Sequence, residues 1–163
     1  MKIILTDGSD NRFVNLCHEL DEYLNEVVGG EKQRKQYNQY NTLENIHDVA
    51  LVVEDGKAAA CGGFKEYELG TAEIKRVFTK REFRNHGYGK SIMKALEKRA
   101  IEKGYTKLIL ETGVLLKDAK KMYAAIGFEV IENFGQYKSM PESVCMGKEL
   151  SRLVGCGRSV TYR

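Results

Sequence analysis

Apolar residues at Phe13, Leu16, Cys17, Leu20, Leu24 and Val27 recur at intervals of three and four with acidic residues between them, which predicts an amphipathic helix stopped by Gly29-Gly30. A short strand over Lys2 to Thr6 precedes it, and Asp7-Gly8-Ser9-Asp10 reads as a turn and helix cap. Residues 31–47 are polar, anchored only by Tyr37, Tyr40 and Leu43, and are expected to form a helix plus a loop. The period then changes. Val49 to Glu54 and Lys57 to Phe64 form a hairpin across Asp55-Gly56, and the small residues of the second run suit a buried strand. Ala72 to Thr79 is the next strand, followed by a helix from about Gly87 to Lys103 with Ile92, Met93, Leu96 and Ala100 inward. Leu108 to Thr112 is a strand, Lys117 to Ile126 a helix closed by Gly127, and Phe128 to Ile131 and Val144 to Lys148 two further strands. Strands joined by both hairpins and helices predict a mixed sheet with helices on its faces, an α/β or α+β domain.

With 163 residues and 42% hydrophobic composition the chain reads as one domain over residues 1–150, followed by an extension over 151–163. The extension is a flexible tail by composition, unless a second copy in a homodimer holds it. The apolar start, Ile3 to Leu5, is too short for a signal peptide, and no run approaches membrane-spanning length, so a cytoplasmic protein with no membrane partner is expected. Cys17, Cys61, Cys145 and Cys156 have no ligand spacing, so no metal is expected. Charge is unevenly distributed. Residues 1–74 carry 7 Lys/Arg against 14 Asp/Glu, a net of −7, whereas residues 75–121 carry 14 against 5, a net of +9. The middle of the chain therefore faces anions, although no aromatic stacking platform accompanies the basic residues and no nucleic-acid partner is expected. Lys94, Lys98, Arg99 and Lys103 read as a solvated helix face.

The candidate chemistry begins at Arg84-Asn85-His86-Gly87-Tyr88-Gly89-Lys90-Ser91, where two glycines open the second long helix. Free N–H groups and the helix dipole make such a start an anion site, and the glycines admit the anion closely. Arg84 at the first glycine position and the polar stretch before the loop argue against a P-loop. The R-x-x-G-x-G pattern resembles the pyrophosphate-binding signature of the GCN5-related N-acetyltransferases. Two further segments carry the same resemblance: Ala72-Glu73-Ile74, with Glu73 eleven residues before Arg84, and Tyr123-Ala124-Ala125-Ile126-Gly127-Phe128, which matches Y-x-x-x-G-F. Together they span roughly residues 48–148.

The resemblance implies the acetyltransferase fold, a central, mostly antiparallel sheet with helices on both faces, and acetyl-CoA as cosubstrate. It implies Glu73 as general base, Tyr123 as the acid facing the coenzyme sulfur, and the Val77 N–H as oxyanion donor. It further implies that Val77, Phe78 and Thr79 pair with the pantetheine arm. The pyrophosphate is expected on Arg84, Asn85, His86, Gly87, Tyr88, Gly89, Lys90 and Ser91, with the Arg84 side chain adding charge. Many members have Asn seven residues before the tyrosine; Leu116 stands there, and Lys117 is the replacement candidate. Such chemistry makes physical sense: an amine with a reference pKa of about 10.4 needs a base, and the departing thiolate needs a proton.

The implied activity is direct acetyl transfer to a primary amine of a small molecule; a non-catalytic acetyl-CoA sensor and a basic nucleic-acid-binding domain are the alternatives. Pocket walls are expected from residues 20–45, the turn near Glu66 to Gly70 and the loop after Val130. Glu111 either points a carboxylate into that pocket or pairs with a nearby lysine. The acidic amino-terminal segment favours cationic acceptors over anionic ones, with polyamine-like or amino-sugar-like amines standing level with amino acids and peptide amino termini, and a single inward arginine such as Arg34 reverses that preference.

Overall fold

Seven strands form one sheet in the order β1-β2-β3-β4-β5-β7-β6 in a computed structural model, which describes residues 1–27, 43 and 45–151. The strands are β1 (Lys2–Thr6), β2 (Asp48–Glu54), β3 (Lys57–Glu68), β4 (Thr71–Thr79), β5 (Lys107–Gly113), β6 (Glu129–Ile131) and β7 (Ser143–Glu149). Three α-helices lie among the described residues: α1 (Asn11–Val27), α2 (Tyr88–Glu102) and α3 (Lys117–Ala125). All pairings are antiparallel except that of β4 with β5, which α2 joins by a crossover. The expected mixed sheet with helices on both faces is the observed one. Most of the polar segment 31–47 and all of the extension except Ser151 fall outside the described residues.

Alternation along β2 assigns the faces. Val49 and Leu51 pack with Phe13, Leu16, Cys17 and Leu20 of α1, whereas Ala50 and Val52 pack with Ile92, Met93 and Leu96 of α2 and with Tyr123 and Phe128 beyond. The small residues of β3 let both helices approach the sheet centre. A Cβ on Gly62 would lie 2.7 Å from Ile92 Cγ2, and one on Gly63 would lie 2.7 Å from Ile46 Cγ2 and 2.9 Å from the Asp48 carbonyl oxygen. Helix α1 starts where expected: Asp10 Oδ1 accepts the Arg12 N–H at 2.9 Å, satisfying one of the unpaired donors of the first turn. No helix among the described residues is long and apolar enough to cross a membrane.

Two irregularities in β4 shape everything that follows. Cys61 pairs with Phe78 and Gly63 with Lys75, so Gly62 alone faces both Arg76 and Val77, and Arg76 adopts a left-handed φ of 62°. This bulge breaks the alternation. Ile74 and Val77 pack on the α2 side and Phe78 on the α1 side, while the Arg76 side chain reaches Cys17 and Asp21 of α1. The second irregularity is a split. β4 and β5 pair only at Thr71–Lys107, Ala72–Leu108 and Glu73–Ile109, although both strands continue beyond. Several expected boundaries also move: β3 extends past Phe64 to Glu68 because it stays paired with β4, and Phe128 precedes β6 as a core residue.

The glycine run supplies the first test. Gly63→Ala should destabilise the fold by about 1–3 kcal/mol, because its Cβ meets backbone that cannot swing away. Urea unfolding of both proteins measures this, and equal midpoints would contradict the packing described.

Candidate active site

The split between β4 and β5 opens a cavity of about 440 Å³. It is lined from both sides of the sheet: Leu20 and Leu24 of α1 on one face, Ala119 and Tyr123 of α3 on the other, with Glu73 to Val77 and Leu110 to Leu116 along the parted strands. Tyr137, from a 3-10 turn at Gly135–Ser139 that the sequence pattern did not predict, closes part of the α1-side wall. The expected turn near Glu66 to Gly70 does not line it. Tyr67 from that stretch packs edge-on against Phe134 instead, with ring centroids 5.2 Å apart, because β3 carries the turn beyond the cavity.

Glu73 is 3% exposed and Lys75 is 7% exposed, with Lys75 Nζ 3.8 Å from Glu73 Oε2. Burial raises the Glu73 pKa above its ordinary value, and the Lys75 and Lys65 charges oppose that rise only in part. Burial lowers the Lys75 pKa in turn, with Glu73 opposing. Glu73 is therefore a poorly solvated carboxylate on an interior strand. Glu111 lines the same cavity, its carboxylate accepts the Ser143 hydroxyl at 2.8 Å, and its charge also acts on Lys75. Tyr123 is buried, and desolvation with the nearby Glu111 charge raises its pKa, keeping the phenol protonated at neutral pH. Burial likewise raises the Tyr137 pKa, assisted by Glu73 and Glu111.

Arg76 is 6% exposed and also lines the cavity. Its Nη2 donates to the Cys17 carbonyl at 2.7 Å and to Asp21 Oδ1 at 3.0 Å, while Nε is the one buried side-chain polar atom among the described residues with no hydrogen-bond partner. Leaving such a donor unsatisfied costs about 1–3 kcal/mol. Neither Lys75 nor Arg76 stands out in the sequence, since strict alternation would send them to opposite faces; the bulge brings both to the cavity. Three of the four acids of α1 are also paired: Asp21 with Arg76, Glu19 with Lys80 at 3.4 Å, and Glu26 with Arg81 at 3.9 Å. The expected cationic preference rested in part on these acids.

The glycine loop follows β4 after a 3-10 turn at Arg81–Phe83. Asn85 and Gly87 take left-handed φ values of 67° and 78°, and Gly87 caps α2. The Ser91 N–H bonds the Gly87 carbonyl oxygen at 3.1 Å, so the N–H groups of Tyr88, Gly89 and Lys90 precede the first helical bond and form an anion-ready cradle. His86 stays exposed, with Nδ1 2.9 Å from the Arg84 carbonyl oxygen and its ring stacked on Tyr88. The Tyr88 hydroxyl donates to Glu54 Oε1 at 2.5 Å, tying the cradle to β2. Arg84 differs from expectation. Its Nε donates to the Thr79 carbonyl oxygen at 3.1 Å and its guanidinium lies 4.7 Å from the centre of the Tyr23 ring, so it fastens the end of β4 to α1. Val77 and Thr79 are half-buried and Phe78 is buried, while Lys90 and the α3-opening Lys117 are exposed. In the basic middle segment, Arg99 and Lys103 both pair with Asp48.

A sheet parted between two parallel strands, with an anion cradle at the following helix, defines an acyl-coenzyme A transferase architecture. The chain belongs to the acetyltransferase (GNAT) family, whose model matches residues 13–128. An uncharacterized N-acetyltransferase of Bacillus subtilis, YsnE, is 34% identical over 99 residues, covering 60% of this chain and 66% of that relative. The IAA acetyltransferase of Azospirillum brasilense is 30% identical over 142 residues, covering 84% and 90%. Among solved structures, one described as an acyl-CoA N-acyltransferase from Klebsiella pneumoniae superposes with a TM-score of 0.75 at 26% identity, covering 92% and 97%. A GNAT acetyltransferase from Elizabethkingia anophelis with acetyl-CoA bound superposes with a TM-score of 0.58 at 23% identity, covering 72% and 83%. Family membership makes acetyl-CoA the cosubstrate.

The residues present fit that coenzyme, because a Cβ on Gly87 would meet no protein atom within 4 Å and would project into open space beside the cradle. Gly87→Val is expected to weaken coenzyme A binding by at least about tenfold, through both the left-handed φ and the added side chain. Calorimetric titration measures it; unchanged affinity in a folded variant would place the coenzyme elsewhere.

Proposed function

We propose that the protein transfers the acetyl group of acetyl-CoA directly to the primary amine of a small molecule, with Glu73 as general base and Tyr123 as general acid. The observation that carries this reading is the single cavity threading the sheet, with a buried carboxylate on β4 and a buried phenol on α3 lining it. Amine and thioester can then meet in the split from opposite faces, and no covalent enzyme intermediate is required.

The cosubstrate supplies an activated acetyl group; the protein orients it and moves protons. Its pyrophosphate rests on the N–H groups of the Gly87–Ser91 turn, and its amide-bearing arm lies along Val77, Phe78 and Thr79, where β4 has lost its neighbour, as an added strand would. Glu73 takes the proton that the attacking nitrogen must lose, directly or through a water. Its raised pKa makes it a stronger base than an ordinary carboxylate. The Val77 N–H receives the developing oxyanion, and as the carbon–sulfur bond breaks Tyr123 donates its proton to the sulfur. Per turnover an ammonium acceptor becomes an amide, the thioester becomes a thiol, and one proton leaves to solvent. Lys117, Lys90 and the backbone around Asn85 and His86 add positive potential along the coenzyme.

Glu73→Gln and Tyr123→Phe should each lower turnover by about 10²- to 10⁴-fold with little change in coenzyme affinity. Free-thiol release with acetyl-CoA and an amine panel measures the first quantity and calorimetry the second; turnover within about twofold of wild type in both variants would move the roles elsewhere.

A pH profile adds an independent check. Because the Glu73 pKa is raised from 4.5, kcat/KM should rise with pH through a limb lying above that value, as the carboxyl loses its proton. Glu73→Gln should lack that limb, whereas a limb due to the amine's own ionisation would survive in the variant.

A further inference from the structure

Resting on the acetyltransferase reading above, we propose that the acceptor is a free amino acid with an apolar side chain, its carboxylate held by Lys75 and Arg76 while its amino group meets Glu73. Three observations on the cavity wall converge on this class of substrate.

The first is the pairing of opposite charges on one short stretch of strand. Glu73 and Lys75 lie two residues apart on β4, with 3.8 Å between their charged atoms, and the bulge adds Arg76 from the next position. An amino acid carries its ammonium and carboxylate on a single carbon, so neighbouring side chains of opposite sign can meet both groups. A polyamine or a simple amine has nothing to offer the two cations.

The second is the orphaned Arg76 Nε. The guanidinium spends Nη2 on Cys17 and Asp21, and its buried Nε–H has no hydrogen-bond partner. A carboxylate oxygen is the acceptor that satisfies such a donor best, because guanidinium and carboxylate match in shape and charge.

The third is the charge change during reaction. When Glu73 takes the proton from the acceptor nitrogen it becomes neutral, and Lys75 loses a counter-charge 3.8 Å away inside a poorly solvated wall. A carboxylate on the substrate replaces that charge at the moment it is lost. Glu111, which accepts the Ser143 hydroxyl, shares in that task, and Glu142 stands at the exposed rim. The remaining lining, including Leu20, Leu24, Leu110, Val114 and Leu115, is apolar and selects the side chain.

The test is acetyl-CoA-dependent thiol release by the full chain with L-leucine, L-leucinamide, 3-methylbutylamine and leucyl-glycine, repeated for phenylalanine and its matching derivatives. The free amino acid should exceed its amide, decarboxylated amine and dipeptide in kcat/KM by about 10- to 100-fold, the size of one or two charge-assisted hydrogen bonds. The less basic amine of the amide is the easier one to deprotonate, so a preference for the free acid over its amide cannot arise from amine reactivity. Equal or reversed preference overturns the proposal and leaves the acetyltransferase reading intact. No turnover with any amine by protein that binds coenzyme A overturns both. In Lys75→Gln the preference for leucine over leucinamide should fall at least about tenfold; a purely structural role for Lys75 would lower both rates and leave their ratio unmoved, which also overturns it.

Discussion

The structure turns on the early end of pairing between β4 and β5. Parallel strands in a covered sheet normally continue their ladder as long as both persist, because buried backbone groups left unpaired cost about as much as lost hydrogen bonds. Here pairing stops after Glu73 and Ile109, although β4 runs on to Thr79 and β5 to Gly113. Packing outside the split keeps it open. β4 remains laddered to β3 along its length, β5 to β7, and Arg76 and Arg84 fasten the free half of β4 to α1 through Cys17, Asp21 and Tyr23. Polar backbone along a deep cavity, costly to a structural domain, is what an amide-bearing coenzyme arm needs.

The same logic applies to the buried charges. Glu73, Lys75 and Arg76 would contribute more to stability as apolar residues of similar volume, because removing charges from water costs more than an imperfect ion pair returns. The 3.8 Å separation of Glu73 from Lys75 is a long one, and Arg76 holds both a left-handed backbone and an unsatisfied Nε. Such features persist where surrounding structure over-determines them. The glycine run of β3 supplies that surrounding structure: it lets α2 on one face and Ile46 on the other close on the sheet so tightly that the bulge opposite Gly62 has little room to relax.

Legibility from sequence divided along physical lines. The element order, both long helices and the glycine loop could be read because each is encoded locally: apolar spacing in α1 and α2, and glycines at a helix start whose φ requirement Gly87 meets at 78°. Glu73 and Tyr123, which both line the cavity, could be named as candidates because the resemblance ran through short contiguous motifs. Lys75 and Arg76 could not. A strand pattern assigns neighbours to opposite faces, and a bulge, which depends on register with β3, cancels that rule without leaving a mark in the residues themselves. Tyr137 was hidden for a similar reason, since a single 3-10 turn in a loop has no periodicity to read. The charge argument is limited at a third level: net charge along a segment says nothing about pairing, and Glu19, Asp21 and Glu26 meet their partners on β4 and the turn after it.

A cavity running through a sheet divides labour between the two faces. On one face α2 and α3 bring the anion cradle and Tyr123, fixed by Tyr88 to Glu54 and by the packing of Tyr123 on Phe128. On the other, α1, Tyr137 and the bulged wall form the chamber in which an acceptor would sit. Because the faces share only the backbone of β4 and β5 at the split, side chains of α1 and of the loop after β6 can vary without disturbing the cradle. Arg84 is the exception that couples them, since it leaves the cradle segment to stack on Tyr23 of α1. Through that residue the segment that carries the anion cradle and helix α1 are fastened together, and the chamber is braced from the face on which the cradle lies.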